Sequence, residues 1–238
     1  MEDIGCYLIR IFVYENMKKF LYNIFLCFIF ISCEEDHSGI IDPSIPFYQN
    51  LAVEYNVTQN VTGIGANFNK KDKEGANLRL PEKGILFNGE IPSFLGMGYY
   101  MYMLSKPGLI PVTFTFNRWK NQTYINQVSI NDVSPIAIPD SFRTIYNQKI
   151  TIINWEGNPI GEDEFIQVHL TYNGGVYDTN IDLEGARNIA FHFSNLTSAT
   201  KGILYLSRVK KLPLQESDGN AGGNIQVSYV QNKEIEFK

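Results

Sequence analysis

The stretch FIQVHLTY, residues 165–172, alternates apolar and polar side chains from Ile166 onward. Ile166, Val168, Leu170 and Tyr172 fall on one side; Gln167, His169 and Thr171 fall on the other. A period of two is that of a β-strand with one buried face. The pattern returns in VTFTFN (112–117), which separates Val112, Phe114 and Phe116 from Thr113, Thr115 and Asn117. It returns again in IAFHFS (189–194), with Ile189, Phe191 and Phe193 together, and in NIQVSY (224–229), with Ile225, Val227 and Tyr229 together. Turn residues bound these runs. Asn88-Gly89 between ILF and EIP reads as a tight hairpin turn, and Gly174-Gly175 supplies positive φ. No window of about ten or more residues carries a convincing 3.6 period; a short helical turn near Asp182–Ala186 is the most helix the sequence allows. The expectation is an all-β protein.

The N-terminal region has a different character. Met17-Lys18-Lys19 precedes a mostly apolar run, Phe20 to Ile31, which ends at Ser32-Cys33. A secretory signal joins a basic start to an apolar stretch of about 7–15 residues. As a helix this run reaches about 18 Å, short of the ~30 Å hydrocarbon core of a bilayer. The small residue before Cys33 resembles the lipobox of bacterial lipoproteins, although Phe30 stands where that family prefers Leu. The resemblance implies that Cys33 is lipidated and becomes the first residue of the processed chain. Residues 1–16 contain Glu2, Asp3 and Glu15 and fit no part of a signal, which points to translation from Met17. The acidic run Glu34, Glu35, Asp36 is similar to the surface-export signal of Bacteroidota lipoproteins. It implies an outer-membrane, surface-exposed protein; a periplasm-facing anchor is the alternative, with the charges serving as a solvated tether.

Removing residues 1–32 leaves the net charge at −5, because that segment holds equal numbers of acidic and basic residues. So mild a charge argues against a nucleic-acid partner. The three cysteines sit at positions 6, 27 and 33, so the folded part has no disulfide, thiolate site or cysteine nucleophile. Short strands without helices favour sandwiches, and Pro135 and Pro139 interrupt the pattern near the middle. The reading is a signal region over 1–32, a lipidated Cys and tether over 33–48, a first β-sandwich module over 49–131 and a second over 132–238. The segment KITIINWEGNPIGEDEFIQVHLTY (149–172) resembles the second and third strands of a fibronectin type III or immunoglobulin-like domain. Trp155 falls at the core-Trp position, Pro159 in the turn and 165–172 on the next strand. The resemblance implies two tandem immunoglobulin-like modules, with Trp155 as a core anchor of the second.

Candidate sites are few. His169 and His192 both oppose the apolar face of their strands and read as exposed; two imidazoles do not complete a metal site. The loop ESDGNAGGN (216–224) offers Asp218, Asn220 and Asn224 as oxygens but reads first as a flexible hairpin loop before the last strand, and GEDEF (161–165) offers three carboxylates but reads first as a solvated loop. In GMGYYMYML (96–104), Tyr100 and Tyr102 share one strand face. They read either as core or, with Trp119 and Tyr124 on the next hairpin, as a flat platform for sugars or a protein. Four Asn-x-Thr triplets, at Asn56, Asn60, Asn121 and Asn195, read as chance in an Asn- and Thr-rich strand protein, because the resemblance to a bacterial lipobox argues against glycans. No catalytic motif appears, and no catalytic residue, metal or cofactor is expected. The functional expectation is a non-enzymatic cell-surface lipoprotein, with the membrane as partner through Cys33, serving as an accessory, adhesion or scaffold component. A glycan-binding lipoprotein of a polysaccharide-uptake system is the alternative, and an enzyme of unknown class the third reading.

Overall fold

A computed structural model describes residues 44–96, 100–118, 122–173, 175–194 and 201–238. These form sixteen β-strands and no helix. The first half contains β1 (Phe47–Asn56), β2 (Val61–Lys70), β3 (Ile85–Phe87), β4 (Ser93–Leu95), β5 (Met101–Pro107), β6 (Val112–Asn117) and β7 (Thr123–Val128). Then come β8 (Ile136–Ala137), β9 (Thr144–Ile145), β10 (Lys149–Asn154), β11 (Glu156–Gly157), β12 (Glu164–Tyr172), β13 (Gly175–Ile181) and β14 (Asn188–Phe193). Two long strands, β15 (Lys201–Leu212) and β16 (Gly223–Phe237), close the chain. The alternation read from the sequence is realised in β6, buried at Val112, Phe114 and Phe116, and in β14, buried at Ile189, Phe191 and Phe193.

The strands make a sandwich-like arrangement. A nine-stranded sheet runs β13-β12-β15-β16-β1-β2-β5-β4, with β9 paired to β16 off this path. Two smaller sheets, β3-β6-β7 and β10-β14, complete two hydrophobic cores. The first gathers Leu51, Val53, Ile64, Phe68, Ile225 and Val227 of the large sheet with Ile85, Phe87, Phe114 and Phe116 of the small one. Phe68 meets Phe116 at 4.8 Å between ring centroids. The second gathers Ile166, Val168, Leu170, Leu204 and Ile235 with Ile153, Ile189 and Phe193. The stretch around Pro135 is where the chain passes between cores: Val133 belongs to the first, Ile136 and Ile138 to the second.

The two strands of the 149–172 stretch lie in different sheets. Here β10 pairs with β14, and β12 pairs with β13 and β15. Trp155 is buried in the second core, and its indole N–H donates to the Asn158 carbonyl at 3.0 Å.

The organisation differs from two tandem modules in one respect. The last strand, β16, lies parallel to the first, β1, with Leu51 opposite Ile225 and Val53 opposite Val227. The same strand pairs along its length with β15 and delivers Ile235 and Phe237 to the second core. A cut at 131/132 therefore divides the chain but not the sheet, because fifteen residues of alternating pattern are long enough to cross both cores. The described residues all belong to one unit, Glu35–Lys238. Two smaller expectations also shift. Phe47 and Tyr48, read as tether, open β1, because Phe47 buries its ring against Phe116 at 5.9 Å. Asp182–Ala186 is a turn rather than a helical one, with Gly185 at φ 81°. The Asn88-Gly89 turn is as read: both residues have positive φ, 50° and 80°, and Phe87 and Glu90 exchange backbone hydrogen bonds at 2.9 Å.

Candidate functional site

A dense polar cluster lies at the start of the described chain, around Ile45-Pro46-Phe47. Arg118, just past β6, and Asp218, in the loop before β16, form an ion pair with side chains only 3% and 7% exposed. The other guanidinium nitrogen, Nη2, donates to the Ile45 carbonyl at 2.5 Å, and the guanidinium carbon stands 4.2 Å from the centre of the Phe47 ring. Asp218 Oδ2 also accepts the Phe47 N–H at 2.8 Å, and Oδ1 accepts the Tyr124 hydroxyl at 3.1 Å. Between them, Lys71 N–H donates to the Pro46 carbonyl at 2.8 Å. Tyr124 stacks on Phe116 at 5.7 Å. Its phenol is held above the ordinary pKa, first by partial burial and then by the negative charge of Asp218.

The loop that carries Asp218 is sewn along the outer edge of β7. Glu216 Oε2 accepts the Ile125 N–H at 2.6 Å. Gln215 imitates a strand, accepting from Gln127 N–H at 2.6 Å and donating to Gln127 C=O at 3.0 Å. Buried Asn126 closes the seam, accepting the Gln215 N–H at 2.8 Å and donating to the Glu216 carbonyl at 3.0 Å. Both Asp218 oxygens are thus engaged by protein donors, so the loop is a fastening rather than a cation site. Among the described residues, no group of three or more His, Cys, Asp or Glu side chains is placed to hold a metal ion.

A second fastening holds the loop after Trp155. Arg208, fully buried, donates to the Pro159 carbonyl at 3.0 Å and to Glu164 Oε2 at 2.8 Å, and also reaches the Asn158 carbonyl. Glu164, one of the three GEDEF carboxylates, is therefore not solvated as expected. Its nearness to Arg208 follows from the β12–β15 register, in which Ile166 faces Arg208.

Of the two readings of the GMGYYMYML run, core or platform, Tyr102 takes the core one. Tyr102 is 6% exposed, and its hydroxyl accepts the Leu80 N–H at 2.5 Å and donates to the Leu80 carbonyl at 3.3 Å. Burial pushes its pKa up to about 12, offset in part by the Leu80 bond and Arg79. Tyr100 precedes β5 in left-handed backbone, φ 45°, which breaks the alternation; its half-buried ring meets Phe94 edge-on at 6.1 Å. Tyr124 serves the Asp218 cluster. Trp119 lies outside the described residues, as do Cys33, Glu34, Glu35 and Asp36.

His169 is buried rather than exposed. Its Nδ1 lies 2.7 Å from Asp178 Oδ1, and its ring lies 5.5 Å from that of Tyr205. His192 is exposed on β14, in the opposite sheet, so the two imidazoles do not meet. Sequence reasoning missed Arg118 as an anchor altogether: its partners are as far as 100 residues away, and no local spacing marks it.

No protein-family model and no curated protein matches the chain. Solved structures do match. One gives structural insight into host cell surface retention of a 1.5-MDa bacterial ice-binding adhesin; the match has 13% identity and a TM-score of 0.23, over 80% of this chain and 65% of that one. Another is a Ca2+-stabilized adhesin that helps an Antarctic bacterium reach out and bind ice, with 14% identity and a TM-score of 0.22 over 81% and 49%. A mutant of Salmonella alpha-2-macroglobulin matches at 11% identity and a TM-score of 0.22, over 83% and 15%. The chain spans less than two thirds of each of these proteins, and likeness at these scores carries nothing about function.

Proposed function

We propose that this chain is a non-enzymatic lipoprotein, held to a bacterial outer membrane by a lipid on Cys33 and serving at the cell surface as an accessory, adhesion or scaffold component. The observation that carries the reading is the order Lys18-Lys19, Phe20–Ile31, Ser32-Cys33, set a short acidic tether ahead of the first strand. From Cys33 to Ser44 the chain reaches at most about 40 Å when fully extended. A lipid at Cys33 then keeps the β-sandwich within that distance of the bilayer and presents it outward.

The test is the chemistry of Cys33. Mass spectrometry of the processed protein is expected to find an acylated Cys33 at the N-terminus, and Cys33→Ser should move the protein from the membrane to the soluble fraction or leave it unprocessed. An unmodified Cys33 inside a longer chain overturns the reading. Digestion of intact cells with proteinase K then separates the two faces of the membrane: loss of the protein fits surface display, and protection places it in the periplasm.

A further inference from the structure

The tether joins the fold at the start of β1, and β1 is neither an edge strand nor a terminal flap. It lies inside the large sheet, parallel to β16 on one side and antiparallel to β2 on the other. On the β16 side, Gln49–Asn56 run beside Gly223–Val230. On the β2 side, Phe47–Asn56 run beside Val61–Lys70. Ladder hydrogen bonds lie across the strands. A pull on the tether acts along β1, so it loads the rungs on both sides together instead of parting them one after another. Slippage is blocked as well. A shift of one residue, about 3.3 Å, turns every side chain to the other face, which would expel Leu51, Val53 and Tyr55 from the first core.

The direction of the neighbours carries the load further. Because β16 is parallel to β1, its far end, at Ile235 and Phe237, lies in the second core. Along the way β16 is paired with β15 from Ile225 to Glu236. Force entering at Phe47 is therefore passed across the β1–β16 ladder into the strand common to both cores. The close approach this needs at the loaded end is made possible by Gly223, φ 153°, where a Cβ would stand 2.2 Å from the Gln49 carbonyl oxygen.

A strand pulled from one end feels the greatest strain at that end, and there the polar cluster sits. The Ile45 carbonyl, the Pro46 carbonyl and the Phe47 N–H are each held, by Arg118, Lys71 and Asp218 in turn. The Arg118–Asp218 pair also clamps the Phe47 ring from above.

We propose that β1 is a load-bearing strand: tension arriving through the tether is resisted in shear by β16 and β2, with the Arg118–Asp218 pair reinforcing the loaded end. The proposal rests on the anchoring reading for the source of the tension, and on the strand geometry for the resistance.

Single-molecule force spectroscopy on the full chain tests it. In the first geometry, peptide handles are inserted after Ser38 and fused after Lys238, which pulls β1 and β16 in shear. In the second, handles at Asp163 and Asp182 pull apart the open ends of the β12–β13 hairpin, which unzips. The shear geometry is expected to need a several-fold higher force at the same loading rate. Arg118→Ala should lower the shear force and leave the unzipping force unchanged; Asp218→Asn, which keeps an acceptor for Phe47 N–H, should do the same to a smaller degree. Equal forces in the two wild-type geometries overturn the load-bearing role, and a shear force untouched by both substitutions overturns the part assigned to the clamp. The handles stand in for the lipid, so these results do not depend on Cys33. An unacylated Cys33 with a high shear force removes the anchor and overturns the anchoring reading alone.

Discussion

Tyr102 shows how one side chain decides between a surface and a core. Its ring packs against Phe94 at 5.0 Å and Phe68 at 6.2 Å, and its hydroxyl satisfies both backbone groups of Leu80. Burial also raises the pKa of Tyr55, aided by the charge of Asp132. Both phenols hold their protons more tightly in the fold than in the unfolded chain. Their contribution to stability is therefore complete below the ordinary tyrosine pKa of about 10 and is lost as pH rises through the folded value. For Tyr102 the rise to about 12 corresponds to roughly 2–3 kcal/mol. Urea denaturation at pH 8 and pH 11.5 should show the loss. Tyr102→Phe should cost about 1–3 kcal/mol at pH 8, because the Leu80 groups are left unpaired, and should make the alkaline loss smaller. An alkaline loss unchanged in the variant would show that Tyr102 is not a source of it.

At the scale of the strand, the outer edge of β7 is covered by side chains and not by another strand. An uncovered edge invites pairing with a second molecule. Gln215→Ala with Glu216→Ala should therefore leave the monomer folded but raise its tendency to associate, read as a concentration-dependent gain in mass by light scattering. A variant that stays monomeric at every concentration would mean that the seam is not what protects the edge. Much of this scale was legible in the sequence. Strands β6, β12 and β14 follow from alternation, the turn at Asn88-Gly89 from its residue types, and the burial of Trp155 from its place at the end of ITIINW. Partners were not legible, because pairing is decided in space. His169 reads as outward-facing on its own strand, yet Asp178 and Tyr205 arrive from β13 and β15 to cover it. Asp218 sits among Asn and Gly residues that suit a cation loop and a turn equally well, and only the approach of Arg118 distinguishes them. The left-handed Tyr100 hid the start of β5, since a single residue of positive φ resets the face on which every later side chain falls.

Across the whole molecule, β15 and β16 make one body of two cores. Trp155→Ala removes a large ring from the second core and should cost about 3–5 kcal/mol, a large part of a stability of roughly 5–15 kcal/mol. In two independent modules that loss would stay in the second. Here Ile225 and Val227 of β16 serve the first core while Ile235 and Phe237 serve the second. Hydrogen exchange followed by mass spectrometry should therefore show residues 112–117 and 189–193 losing protection together in the variant; loss confined to 189–193 would separate the cores. The same strand also sets a timetable. Asn50 and Asn224, hydrogen-bonded across β1 and β16, are 174 residues apart in the chain. Strand β1 must wait for β16 to be made before its core can close, and contacts of such long sequence separation form slowly. Until Ile225 and Val227 are made, the chain has no finished first core, and β1 to β7 leave the ribosome with their apolar faces still uncovered.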